Sequence, residues 1–518
     1  LGEVKYDIVI IGSGAGGGTL AHALASTGKK ILILERGDFL PREKENWEPK
    51  AVFLKNRYHT TEKWQDKAGA SFTPGMNYYV GGNTKVYGAA LLRLRENDFK
   101  EVKHYGGTSP AWPLSYQDFQ PYYLQAEKLY SVHGLRGEDP VEPPESAPYF
   151  FPPISHEPYI QSFHDKLKEK GLHPFHLPLG LMLDEKNPEK SRCIRCDTCD
   201  GFPCLVQAKA DAHVTCIEPA LSHSNVTLMT NTEALRLISD ATGERIAAVE
   251  VKQAGQVKRI EADLFICSCG AINSAALMLR SRDKTHPNGL GNNNDLVGRH
   301  YMFHHNSVMI AISKTKNPTR YEKTLAINDF YYKADDSSLP LGHIQLLGNV
   351  KPEMLAAEAP VYAPGFALDF LADHAVGWWL TTEDLPDPNN RVRLTPHDQI
   401  VIEYTPNNLT AHQKLLEKLK KLLNHLGPYS HLFPSSVYLS QQIPIAGCAH
   451  QAGTLRFGKD PQTSVLDLNC KMHGLKNLYV VDSSFFPSIG AVNPTLTIIA
   501  NALRVAEIIR VKETPFQA

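Results

Sequence analysis

The chain has 518 residues, with 54 lysines and arginines against 55 acidic residues, so no broad field attracts nucleic acid or anionic lipid and a small molecule is the expected partner. Apolar residues make up 42%, an ordinary globular share, and no run of about 18 of them offers a membrane span. The length accommodates about three domains, or one large core with a second domain grown onto it.

The first stretch with a clear pattern is "YDIVIIGSGAGGGTLAHALASTGKKILILERG", residues 6–37. It predicts a βαβ unit: a β-branched strand, a glycine turn, an Ala/Leu-rich helix stopping at Gly28 and a second strand. Gly12-Ser13-Gly14-Ala15-Gly16-Gly17 satisfies G-x-G-x-x-G between that strand and helix, and Glu35 closes the next strand, which is the dinucleotide fingerprint. Gly12 permits the turn, Gly14 lets backbone approach a pyrophosphate, Gly17 allows close helix packing, and Glu35 is placed to accept from ribose hydroxyls. FAD and NAD both use such a unit, and the motif does not choose between them.

Residues 38–70 read as connecting structure around short helices. "NYYVGGNTKVYGAALLRLRENDF", residues 77–99, sets Gly81, Gly82 and Gly88 in an apolar stretch where backbone must approach something closely. "WPLSYQDFQPYYLQAEKLYSVHG", residues 112–134, predicts an amphipathic helix capped by Ser115 or Asp118 and ending at Gly134. The proline-rich stretch 138–158 reads as an extended loop or surface lid. Cys193, Cys196, Cys199 and Cys204 then follow in C-x2-C-x2-C-x4-C spacing, which thiolate ligation of zinc or of an iron–sulfur cluster would use, while Cys216 lies too far along to join them. This crowding is unlike a disulfide framework, and no basic-then-apolar leader precedes the first strand, so a reducing, cytoplasmic compartment is expected.

Residues 225–268 alternate as strands do, and "ADLFICSCGAINSAALMLRSR", residues 262–282, runs from a buried strand into a helix, so the nucleotide-binding body resumes here. Residues 301–440 carry short strands ("HIQLLGNV", "RVRLTP", "QIVIEYTP") and one clear helix ("TAHQKLLEKLKKLLNHLG"), which predicts a second domain built on an antiparallel sheet. The chain ends with "YVVDSSFFPSIGAVNPTLTIIANALR", residues 479–504: a strand, a loop holding Pro487, Gly490 and Pro494, and a helix. The expected fold class is α/β, a Rossmann-like dinucleotide domain with a second α+β domain.

The glycine loop, "GGNTKVYGAALLRLRENDF", "WPLSYQDFQPYY", "GAINSAALMLRS", "DLVGRHYMFH", "AHQAGTLRFG" and the terminal block occur in the order in which they occur in the glucose–methanol–choline (GMC) flavoprotein oxidoreductases, which this sequence resembles over most of its length. The resemblance implies FAD as the dinucleotide, with residues 1–100, 193–300 and 441–518 forming its domain, 101–192 lid and substrate-domain elements, and 301–440 the substrate domain. It implies that Gly81, Gly82, Asn83 and Thr84 run along the flavin and that Asp482 and Val492 belong to the cofactor site. Histidine is absent from the segment where some relatives attach FAD, so non-covalent binding is expected. Relatives carry cysteine- and glycine-rich stretches without metal, and a few use them for an iron–sulfur cluster; no metal is the expectation here, with Cys193, Cys196, Cys199 and Cys204 as the candidates.

The resemblance also aligns His450 and Asn493 with the pair that GMC enzymes place over the flavin. A neutral imidazole near its ordinary pKa of about 6.5 serves as base for an alcohol proton, and Asn493 would hold the oxygen. Alternatively Asn493 simply caps the last helix. His300, His304 and His305 read as structural or pocket-lining. The implied activity is oxidation of a CH–OH group in an alcohol or sugar, with electrons passing to a quinone, a protein or oxygen. Bulky Tyr87 beside the flavin leans toward a dehydrogenase over an oxidase. Alternatives are a hydroxynitrile lyase-type non-redox enzyme and a flavin/iron–sulfur electron-transfer protein. Trp378 and Trp379 would stack on a sugar or belong to the core.

Overall fold

A computed structural model describes residues 5–143, 147–313, 315–334, 338–356, 365–425, 439–447 and 450–512. Residues 144–146 of the proline-rich stretch, the end of the helix expected to reach Gly427, and Ala449 beside His450 lie outside these.

The β-branched runs at the N-terminus build the centre of a parallel sheet. Strand β1 (Tyr6–Ile11) pairs in parallel with β2 (Ile31–Leu34), which has Val226–Met229 on its far side. On the other side of β1 lies Gln256–Cys267, followed by Leu478–Val480, both parallel. Because Gln256–Cys267 is long, its first half also closes an antiparallel meander with Ile246–Gln253 and Thr232–Ser239. Helix α1 (Ala15–Ala25) and the C-terminal helix Thr495–Lys512 pack together against the sheet, with Tyr116–Leu129 against the latter. The helix Tyr116–Leu129 starts at Ser115, whose N–H donates to Asp118 Oδ2 at 2.7 Å, and it stops at Leu129, earlier than the Gly134 expected from sequence.

The second layer is a six-stranded sheet containing His305–Ile312, Ala375–Thr382, His343–Leu346, Leu325–Ile327 and Pro174–His176, all antiparallel, with Leu439–Gln442 at one edge. Strand period two splits its side chains between two faces. Met309, Ala311, Ile344, Leu346, Val376, Trp378 and Leu380 form one face and bury against helices Pro158–Glu169 and Leu409–His425. Asn306, Gln345 and Trp379, at the alternate positions, look toward a cleft between the two sheets. The strands Arg391–Leu394 and Ile400–Glu403, read from sequence as part of this sheet, instead form a separate one with Trp64–Asp66 and Ser71–Phe72. Among the described residues no helix is long and apolar enough to cross a membrane.

Candidate active site

The cleft has a volume of about 500 Å³ and is lined from the glycine loop, past Glu35, to Trp379, His450 and Asn493. At the loop end, Gly12 has φ +100°, and a Cβ there would stand 2.2 Å from the Ser268 carbonyl oxygen, so only glycine fits. A Cβ on Gly17 would meet the Gly12 carbonyl at 2.0 Å, which is the close packing expected of the third glycine. Gly14 has no neighbour within 4 Å of its Cβ position: its backbone faces the open cleft at the start of α1, where helix N–H groups favour an anion. Glu35 is buried and accepts from the Ser13 hydroxyl at 2.6 Å and from Gly37 N–H at 3.0 Å, so it braces the loop while lining the cleft.

The segment after Val80 crosses this loop. Gly81 N–H donates to Ser13 Oγ at 3.1 Å, and Gly82 approaches Gly14 so closely that a Cβ on it would lie 3.2 Å from the Gly14 Cα. Asn83 Oδ1 accepts from Asn77 N–H at 3.0 Å, and Thr84 Oγ1 accepts from Ala212 N–H at 2.9 Å while donating to the Gly81 carbonyl. Asp482 is buried and takes donors from Gly270 N–H (3.0 Å), Ser484 N–H (2.9 Å) and the hydroxyls of Ser274 and Ser484. It therefore lines the cleft while fixing the start of helix Ala271–Arg280. Val492 is fully buried, and the cleft wall is taken up by its neighbour Asn493.

His450 and Asn493 reach the same cleft from different segments. The loop carrying Asn493 is held by partners from both layers: Gly490 N–H donates to Glu383 Oε1 at 3.1 Å, Ala491 N–H to the Tyr331 hydroxyl at 2.9 Å, and Trp112 Nε1–H to Ser488 Oγ at 2.9 Å. The carbonyl of Pro494 accepts the first bonds of the C-terminal helix, from Thr497 and Ile498, so Asn493 precedes the cap. Its Oδ1 is buried with no hydrogen-bond partner among the described residues.

His304 decides the protonation of His450. Its Nε2 stands 2.9 Å from the Gly490 carbonyl oxygen, an acceptor only, so Nε2 carries hydrogen. Burial holds His304 neutral, with a pKa well below the ordinary value, and its Nδ1 is therefore a lone pair. His450 Nδ1, 3.0 Å away, must donate to it, which leaves the lone pair of neutral His450 on Nε2. Burial first, and then the Lys323 ammonium, lower the pKa of His450 to about 4, against the near-ordinary value expected from sequence.

Other expectations divide. Trp378 is core, and Trp379 lines the cleft with a buried Nε1 that has no partner among the described residues. His305 is fully buried and its Nε2 lies 3.4 Å from Asp384, away from the cleft lining. The described cysteines are free, and among the described residues no group of three or more His, Cys, Asp or Glu is arranged to hold a metal. Burial pushes the Cys193 thiol up to about 12 and Cys199 to about 11, the opposite of what a ready metal-binding thiolate needs. What this loop delivers to the cleft is Asp200 and Gly201. Sequence reasoning passed over Asp200 and Lys323, which line the cleft beside His450 together with Gln345 but come from distant segments with no motif to join them.

A dinucleotide cleft that ends at an unprotonated imidazole nitrogen and an orphaned carboxamide defines a flavin- or nicotinamide-dependent oxidoreductase. Comparison with known proteins makes the class specific: GMC oxidoreductase family models match residues 6–306 and 386–502. The chain belongs to the GMC oxidoreductase family, whose members bind FAD. It is 30% identical to a 6'''-hydroxyparomomycin C oxidase of Streptomyces lividus and to a paromamine 6'-oxidase of Streptomyces fradiae, covering 97% of this chain and 91% of each relative. The crystal structure of a pyridoxine 4-oxidase from Mesorbium loti shares the fold, with a TM-score of 0.68 at 18% identity over 98% of this chain and 99% of that one.

Proposed function

We propose that this enzyme oxidises a CH–OH group of a hydroxylated small molecule, an alcohol or a sugar or glycoside, with His450 as base and Asn493 holding the reacting oxygen. The observation that carries this reading is the His304–His450 pair, which leaves the His450 Nε2 lone pair available at the cleft. FAD fits the residues present: Gly14 leaves room for a pyrophosphate, Glu35 and Asp482 flank the same cleft, and the orphaned Asn493 Oδ1 waits at the far end for a polar partner. Gly12, Gly14, Gly17, Glu35, Gly81, Gly82, Asn83, Thr84 and Asp482 would hold it without a covalent bond, with Val492 buried behind Asn493. When bound, FAD supplies the acceptor for the hydride that leaves the carbinol carbon.

The chain's own residues do the rest. His450 Nε2 accepts the hydroxyl proton as the C–H bond breaks, and the Nδ1–H bond to His304 keeps the ring in that tautomer and orientation. Asn493 donates to the substrate oxygen as negative charge develops there. Its loop is buried and pinned from both layers, so the donor is already oriented when substrate arrives.

Anaerobic mixing of the holoenzyme with a panel of sugars, glycosides, polyols and aliphatic alcohols tests the reading: at least one is expected to bleach the yellow flavin and yield a carbonyl product. Cleavage of a cyanohydrin without bleaching would point to the lyase alternative instead. Reduced enzyme must pass on two electrons. The two relatives named above are oxidases, which favours oxygen; Tyr87 at the cleft, anchored by its hydroxyl to the Ala210 carbonyl, favours the second reading, a dehydrogenase with a quinone or protein acceptor. Peroxide formed stoichiometrically with product in air-saturated buffer separates them. The free thiols of the described cysteines support a reducing, cytoplasmic location.

A further inference from the structure

Beside His450 the cleft contains a largely buried ion pair. Lys323 Nζ donates to Asp200 Oδ2 at 2.6 Å, with the two side chains 5% and 18% exposed, and Gly348 N–H adds a bond to the same oxygen at 3.3 Å. The chain makes room for the pair: a Cβ on Gly88 would fall 2.3 Å from Asp200 Oδ1 and closer still to Lys323 Nζ, and one on Gly348 would fall 2.8 Å from the Asp200 Cβ. Removing two charges from water is costly, and a hydrophobic pair would fill the same space at no such cost, so the pair asks for a ligand-related reason. Among the described residues Lys323 makes one hydrogen bond and keeps two of its three N–H groups, while Asp200 Oδ1 has no donor.

The wall continues with Gln345. Asp139 accepts from Asn328 Nδ2 at 2.8 Å, so Asn328 Oδ1 faces His343 Nδ1 at 2.7 Å and accepts its hydrogen. The structure sets Gln345 Oε1 3.1 Å from His343 Nε2, but His343 is neutral, its pKa lowered to about 3 by burial, so its Nε2 is an acceptor and we assign the Gln345 amide the other way round, with its nitrogen toward the ring. That leaves the Gln345 carbonyl oxygen facing the cleft. Trp379 supplies an apolar face and, among the described residues, an unpartnered indole N–H in the same wall.

We propose that Asp200, Lys323 and Gln345 form a specificity site for a neutral vicinal diol, so that the enzyme's substrate is a polyhydroxylated ring or chain, a sugar, glycoside or polyol, and not a simple alcohol. The proposal rests on the CH–OH oxidation argued above and names its substrate class. A cation and an anion held side by side carry no net charge, so a carboxylate or an ammonium on the ligand would be attracted by one and repelled by the other. Adjacent hydroxyls of a neutral ring each donate and accept, and they meet the ammonium donor, the carboxylate acceptor and the Gln345 carbonyl together. The ring's C–H face has Trp379 to lie against. These three residues act as specificity determinants, while His450 and Asn493 remain the groups at the reacting centre.

The test compares the holoenzyme with the charge-neutral double variant Asp200→Asn/Lys323→Met, and separately with Gln345→Met, each checked for FAD content and thermal midpoint. The substrates are glucose, methyl glucoside, mannitol, 1-butanol and 1-hexanol, followed by flavin bleaching. Wild type is expected to prefer the polyhydroxylated compounds, and both variants to lose about tenfold or more in kcat/KM for them, chiefly through KM, with the simple alcohols changed less than about twofold. Wild type reduced as well by 1-butanol or 1-hexanol, or variants that lose all substrates equally, would overturn the specificity site while leaving CH–OH oxidation standing. Bleaching by none of the five would count against both readings. A variant that fails to fold shows itself in FAD content and midpoint, and the other variant then decides.

Discussion

At the residue scale the proposed chemistry turns on two ring nitrogens. Replacing His450 with Ala removes the proposed base and leaves the nucleotide end of the cleft untouched, so flavin reduction by substrate should fall by about two or more orders of magnitude with FAD still bound. Stopped-flow bleaching at the wild-type rate would show that another group takes the proton. The pH dependence follows from burial. Because burial lowers the pKa of His450 to about 4, the ring stays neutral well below pH 6.5, and kcat/KM should hold level across that range and fall only on approaching about 4. Stability, unlike activity, is not level over the same window. The unfolded ring binds a proton near its ordinary value of about 6.5 and the folded ring resists it, so folding stability should decline as pH falls from about 6.5 toward 4. His304, lowered in the same direction, adds to that loss. An acid limb of activity near 6.5 would contradict this account.

At the scale of elements, the β1–α1 turn tolerates no added side chain. Gly17→Ala would drive a methyl group to 2.0 Å from the Gly12 carbonyl, so α1 must move away from the strand whose glycines face the cleft. The expected result is protein that purifies with little or no yellow cofactor and a lower thermal midpoint; full FAD content would mean that the turn is looser than its packing indicates. The cysteine loop has a different job. Its buried Lys209 binds the carbonyls of Cys199 and Phe202, which fixes the stretch from which Asp200 enters the cleft. Metal analysis of purified protein, together with a visible spectrum after FAD removal, should show neither zinc nor iron–sulfur absorption.

At the scale of the whole molecule, the loop bearing Asn493 belongs by sequence to the nucleotide-binding body but is oriented by the other layer. Tyr331 accepts from Ala491 N–H and donates to Asp98 Oδ2, each at 2.9 Å. Tyr331→Phe strands both buried groups at a cost of about 1–3 kcal/mol. The variant should melt earlier and lose turnover while retaining FAD, which a thermal scan and a steady-state assay on the same preparation would reveal.

The local periodicities were legible in the chain alone. The run Ile8–Ile11, the glycine loop and Glu35 predict a strand, a turn and a partner strand because each depends on neighbours a few residues away, and the coordinates place all three as read. The family blocks likewise brought His450 and Asn493 into consideration before any geometry. What sequence reading missed depended on contacts between distant segments. His304 is 146 positions from His450, and nothing along the chain says that its Nδ1 would take the hydrogen of the other ring. Strands Arg391–Leu394 and Ile400–Glu403 alternate as well as any in the second layer, yet they pair with Trp64–Asp66, because alternation fixes which face is apolar and not which edge is nearest. Asp200 and Lys323 are ordinary charges in sequence; a buried ion pair exists only once folding removes water from both. Local pattern thus determined the elements and the dinucleotide loop, the family blocks supplied the catalytic candidates, and tertiary structure alone decided the tautomer of the proposed base, the orientation of the amide proposed to hold the oxygen and the wall proposed to face the substrate. Hydrogen bonds and burial between remote segments are properties of the assembled fold.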